Sequence, residues 1–228
     1  MTRSPAAGAA VASAMICVAG AVGAAGTLSA GGIGARSSAG YGAPSTAGYD
    51  AVADPRSGTH PDGPPPAHTG GFGEPTCHAC HFDADANTGP GRLTLGGMPR
   101  TAVPDQEYRI SILLTGPGMR AAGFQLSARS PDGQPAGVLE VPPEESQRVE
   151  VTTHEGVPYA HHRYDGTSPV SRDTARWIVV WRAPNPARLD VVFHAAGISG
   201  DGDLSPFGDL VYTAAERTTP RVIKAGSR

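Results

Sequence analysis

The chain has 228 residues, 31 of them glycine and 22 proline, with a formal charge of −3. That length holds one or two domains, yet this much Gly and Pro leaves part of the chain outside any packed core. The near-neutral balance, with no Lys/Arg cluster, provides no surface to neutralise a phosphate backbone, so nucleic acid is not an expected partner. Three cysteines are too few for a disulfide scaffold.

Residues 1–30 read as an export signal. Arg3 supplies the positive start, and Val11 to Ala24 is a run of apolar and small residues, with Ala24 or Ala30 suited to cleavage. The run is too short and too weakly apolar for a membrane span. Cys17 follows Ala14-Met15-Ile16, without the small residue expected just before a lipidated cysteine. An extracytoplasmic location follows, whether periplasmic, cell-surface or secreted, with no transmembrane span in the mature chain. Residues 31–70 are Gly, Ala, Ser and Pro with scattered polar side chains, including Pro64-Pro65-Pro66. Such a stretch cannot bury enough apolar surface to offset chain entropy and is expected to be a disordered linker. His60 and His68 should be solvated there.

Next comes Cys77-His78-Ala79-Cys80-His81. Two thiols three positions apart can add to the two vinyl groups of a porphyrin, and the following imidazole can turn onto the iron. The spacing therefore predicts one covalent haem c, held by Cys77 and Cys80, with His81 as proximal ligand. Two other chemistries compete. A structural zinc would need four ligands, with a distant histidine joining His81. A Cys77–Cys80 disulfide or redox pair suits an oxidising compartment, although the βαβ context of a thioredoxin-like pair is missing.

Residues 71–216 have the texture of a β domain. Short runs rich in Val, Ile, Leu, Tyr and Trp recur between Pro, Gly and Asp punctuation: Arg92 to Leu95, Tyr108 to Thr115, Gly123 to Ala128, Gly137 to Val141, Arg148 to Thr153, Tyr159 to Tyr164, Arg176 to Trp181, Leu189 to Ala195 and Leu210 to Ala214. This pattern predicts an all-β, immunoglobulin-like antiparallel sandwich with a haem-binding turn at its N-terminal edge. Tyr108, Ile110 and Ile112 alternate with Arg109 and Ser111 as a one-faced strand should, whereas the unbroken run Ile178 to Trp181 suggests a strand covered on both faces. No segment has the spacing of a long amphipathic helix, which disfavours a helical cytochrome c fold. Residues 217–228 are expected to be a flexible tail.

Several signatures then occur in one order: Glu74-Pro75-Thr76 leading into the cysteine motif, Asn87-Thr88-Gly89-Pro90-Gly91, Gly123-Phe124-Gln125, Trp177 with Trp181-Arg182-Ala183-Pro184, and Gly208-Asp209-Leu210-Val211-Tyr212. Together they resemble the choice-of-anchor V family, exported bacterial domains related to the reeler (reelin-like) sandwich. The resemblance covers about Glu74 to Ala214 and implies an extracytoplasmic sandwich with a haem, but no settled activity.

The sixth position on the iron decides its chemistry. A methionine there raises the potential, a histidine usually lowers it, and an open position admits small ligands. Candidates are His162, His161, His194, His154, Met98 and Met119. The resemblance places a histidine after a Tyr-x-x stretch, which lands on His162 in Tyr159-Ala160-His161-His162. His161 should point to the opposite strand face, His194 reads as a packed core histidine, Met98 as a plug for an apolar gap and Met119 as an exposed-turn residue. Trp177 and Trp181 share a strand face and should be core. Asp201, Asp203 and Asp209 fit no calcium loop and read as a solvated turn. No catalytic motif is recognisable. The expected function is an electron-transfer or redox-linked module serving an unidentified redox partner protein; the alternative is a surface binding or adhesion module, possible at the cell surface, in which haem is a staple or absent.

Overall fold

A computed structural model of the protein describes residues 63–221. The expected signal segment 1–30 and most of the expected linker lie outside the described residues. Among the described residues ten strands follow one another: β1 (Arg92–Gly96), β2 (Thr101–Ala102), β3 (Glu107–Thr115), β4 (Ala121–Arg129), β5 (Val138–Glu140), β6 (Val149–His154), β7 (Val157–His162), β8 (Thr174–Arg182), β9 (Val191–Gly200) and β10 (Leu210–Pro220). They form a four-stranded sheet in the order β1-β3-β8-β5 and a six-stranded sheet in the order β2-β10-β9-β4-β7-β6. Every pairing is antiparallel except the short parallel match of β2 to β10. The all-β sandwich expected from the sequence is the fold that forms, and each of the nine expected strands is present. Among the described residues no helix is long and apolar enough to cross a membrane.

The core lies between the sheets. Ile110, Ile112 and Leu114 of β3 and Trp177, Val179 and Trp181 of β8 face Phe124 and Leu126 of β4 and Phe193 of β9, all essentially without exposure. Phe124 stacks obliquely on Trp177 at 4.7 Å between ring centroids, and Trp181 meets Phe193 edge-on at 5.0 Å. Burying an indole also buries its N–H, which must find an acceptor. Trp177 donates to Gly166 O and Trp181 to Ala136 O, each at 2.8 Å.

Three sequence expectations change. β8 is not covered on both faces, because Ile178 and Val180 are only half-buried while their neighbours are buried. The doubly covered strand is β4, buried from Ala122 to Arg129, and its outward residues Gln125, Ser127 and Arg129 are polar. The cover is residues 63–76, which read as linker up to residue 70 but lie against the outer face of the six-stranded sheet. Here the His68 N–H donates to Gln125 Oε1 at 2.6 Å, and Gln125 Nε2 donates to Pro65 O at 2.9 Å. Glu74 pairs with Arg129 and accepts from Tyr159 Oη at 2.6 Å. Composition alone missed this strap because, apart from Phe72 against His194 and Arg129, it is anchored by hydrogen bonds to the sheet. Finally, β10 runs on to Pro220, held by β2, so residues 217–220 belong to the sheet and not to a tail.

Candidate functional site

Cys77–Ala79 form a single 3-10 turn capped by Thr76, whose Oγ1 accepts from the His78 N–H at 3.1 Å. The Cys80 and His81 N–H groups both donate to Cys77 O, at 3.2 and 3.0 Å. These local bonds bring both thiols and the His81 ring onto one turn. Both cysteines are free, Cys77 half-buried and Cys80 exposed. Burial pushes the Cys77 thiol up to about 12, with Cys80 adding to the shift and a backbone bond opposing it. That is the reverse of the depressed value that marks a redox-active pair. Among the described residues no group of three or more His, Cys, Asp or Glu is arranged to hold a metal ion, so the zinc reading finds no completing ligands.

The turn forms one wall of a cavity of about 290 Å³. Cys77, Cys80, His81 and His162 all line it, as do Gly123 and Gln125 of β4 and Pro64, Pro65 and His68 of the strap. His162 ends β7, and its Nδ1 lies 3.0 Å from Phe124 N and 3.2 Å from Phe124 O. One tautomer accepts from that N–H and the other donates to that carbonyl; the second leaves Nε2 with a free lone pair, as a metal ligand requires. Burial is the main cause that drives His162 down to about 4, with His161 and His81 adding to it against the Phe124 bond, so the ring is neutral at pH 7. Space for it comes from Gly123, where a Cβ would stand 2.5 Å from His162 Cε1.

His81 is held from the other side. Its Nδ1 lies 2.7 Å from Asp209 Oδ2, and the Asp209 side chain is only 8% exposed. Asp209 was expected in a solvated turn; instead it is buried beside the cysteine motif, while Asp201 and Asp203 do cap turns of the 201–208 loop. His68 is likewise not a solvated linker residue but part of the cavity wall, with its Nδ1 2.8 Å from Pro66 O.

The other candidate ligands lie elsewhere. His161 is buried under the strap with Nδ1 on His162 O, so only His162 of the pair lines the cavity. His194 is half-buried, packed edge-on against Phe72 at 5.3 Å between ring centroids on the outer face of the sheet, not in the core. His154 is exposed at the end of β6. Met98 packs against the core as expected, and Met119 is also core, 7% exposed, rather than an exposed-turn residue. Phe82 and Phe207 flank the motif and Asp209 in sequence, meet edge-on at 5.6 Å, and are each 54% exposed.

The residue types fit a haem held through its vinyl edge. Two thiols and an imidazole come from one turn, and a second imidazole faces the same space; Nε2 is the remaining ligand atom of His81, and of His162 in the tautomer that donates to Phe124 O. The residues that sequence reading missed are the supports: Asp209, Gly123 and Gln125. Each lay inside a quoted signature, but nothing local in those segments tells which side chain or which missing side chain matters.

No family model matches the chain, and no curated relative matches it. Among solved structures, the chain is similar to the reelin-N domain of F-spondin, at 18% identity over 64% of this chain and 97% of that one, with a TM-score of 0.44. A human F-spondin reeler domain matches at 17% identity over 61% and 95%, with a TM-score of 0.41. A cohesin module from a Clostridium perfringens family 33 glycoside hydrolase matches at 12% over 58% and 98%, with a TM-score of 0.42. At these identities and scores the likeness is one of β-sandwich outline and carries no argument about function.

Proposed function

We propose that the protein is an exported c-type monohaem module, of the choice-of-anchor V kind, that exchanges electrons with a redox partner protein. One observation carries the reading: Cys77, Cys80, His81 and His162, brought from the N-terminal turn and the end of β7, line a single cavity. Cys77 and Cys80 would hold the porphyrin covalently, and the imidazoles of His81 and His162 would bind its iron. When bound, the haem supplies one-electron iron chemistry. The protein's own contribution is to orient the two imidazoles, through Asp209 and the Phe124 backbone, and to exclude water with Ala122, Ile198 and the strap prolines. With both imidazoles committed to the iron, the group would serve electron transfer rather than binding of small molecules.

The test is a pyridine haemochrome spectrum of the full chain produced with the c-type maturation machinery. Thioether-linked haem is expected in the wild type and no covalent retention in Cys77→Ala/Cys80→Ala; bound haem that survives the double substitution would refute the assignment. Carbon monoxide should bind the reduced wild type poorly and His162→Ala readily. The second reading, a surface binding module with haem as a staple or absent, is favoured by the exposed Phe82 and Phe207 pair, since adjoining exposed aromatics mark contact surfaces. An inert haem, with no reversible reduction in a potentiometric titration, would select it.

A further inference from the structure

We infer that Asp209 is a positioning residue for His81, holding the proton on Nδ1, presenting Nε2 to the iron and setting a low haem potential. The inference rests on the haem reading of the same cavity. It starts from a burial problem: a carboxylate removed from water is costly unless it is paired. Asp209 follows the exposed loop 201–208 and immediately precedes β10, yet its side chain is only 8% exposed. Gly200, at the end of β9, makes the burial possible, because a Cβ there would stand 2.8 Å from Asp209 Oδ1. The partner in place is His81 Nδ1, at 2.7 Å from Oδ2.

A carboxylate can only accept, so this contact places the imidazole proton on Nδ1 and leaves the Nε2 lone pair as the ligand. That is the form a haem ligand needs. The same contact fixes the ring's rotation, which a turn of three residues could not do alone. A carboxylate on the far nitrogen also makes a metal-bound imidazole a stronger donor, and a poorly screened negative charge near iron favours the ferric over the ferrous state. Asp209 would thus be tied to the redox level of the centre, and not merely to the shape of the loop.

Asp209→Asn separates the two roles, because the amide oxygen can still accept from Nδ1 while the charge is lost. Three measurements on the full chain are needed: the haemochrome spectrum, the midpoint potential, and nitrogen NMR of the His81 ring in haem-free protein. The wild type should show His81 protonated on Nδ1, and Asp209→Ala should lose that preference. Asp209→Asn should retain covalent haem while its ferric preference falls roughly tenfold, a positive shift of about 59 mV for one electron. A wild-type His81 protonated on Nε2, or a potential unmoved in Asp209→Asn with haem attached, overturns the inference. Failure of the haem reading shows separately, as a wild type with no thioether-linked haem, which removes the potential claim while the NMR result still decides the contact.

Discussion

The two faces of the six-stranded sheet are built on opposite principles. Its inner face meets the other sheet through Phe124, Leu126 and Phe193, a dry apolar layer in which the buried indole N–H groups are satisfied by backbone carbonyls. Its outer face is equally buried along β4 but polar, with Gln125, Ser127, Arg129, Tyr159 and His161 covered by the strap. The inner layer needs volume and little direction, and supplies stability. The outer layer is held by directional bonds, although Ser127 Oγ, Arg129 Nε and His161 Nε2 are buried without a partner, and its yield is position: it lays Pro64, Pro65 and His68 against the cavity lined by the cysteine motif. Polar burial of this kind adds little net stability but is costly to break.

Breaking each face in turn should therefore give different signatures. The largest effect is expected from Trp177→Ala in the inner layer, a loss of about 4 kcal/mol in urea unfolding, because the cavity left by an indole cannot close between two sheets. Arg129→Met on the outer face should cost about 3 kcal/mol, since it strands the Glu74 carboxylate under the strap. Replacing both partners, as Glu74→Leu with Arg129→Met, should recover most of that loss. Limited proteolysis should show the single variant opening at residues 63–76 before global unfolding, whereas Trp177→Ala should lower both together.

Acid sharpens the same contrast. Burial alone would raise the Glu74 carboxyl, but bonds from Thr69 and Tyr159 and the Arg129 cation outweigh it, so its pKa lies below the ordinary 4.5. A depressed folded value means that the unfolded chain binds the proton more readily, so this stabilisation is complete above about 4.5 and is lost as pH falls through the lower folded value. Amide exchange in the strap should accelerate in that range, and Glu74→Gln should flatten the dependence; a strap indifferent to acid in the wild type would contradict a hold through Glu74.

Smaller effects test the edges of the comparison. Gly123→Ala should cost about 1–2 kcal/mol by overpacking, and should displace His162 enough to raise carbon monoxide binding by the reduced protein. Arg109→Ala, which removes an exposed pair between β3 of the four-stranded sheet and Glu144 in the 3-10 turn Pro143–Glu145, should change stability by less than about 0.5 kcal/mol in the same urea assay.

The amino-acid sequence by itself determined the local parts of this protein. Alternation along Tyr108 to Thr115 and the Trp177/Trp181 spacing gave strands and core, because strand periodicity reflects a one-sided environment that each residue meets independently. The grouping of Cys77, Cys80 and His81 was legible for the same reason, since those side chains need only one turn to come together. Tertiary structure alone decided the rest. Asp209 meets His81 from the far end of the chain, Gly123 matters through a side chain it lacks, and a Gly/Pro segment becomes a strap only because Gln125 and Arg129 stand on the sheet to receive it. Such contacts depend on register between strands distant in sequence, and a single residue carries no local mark of the partner that folding will bring to it.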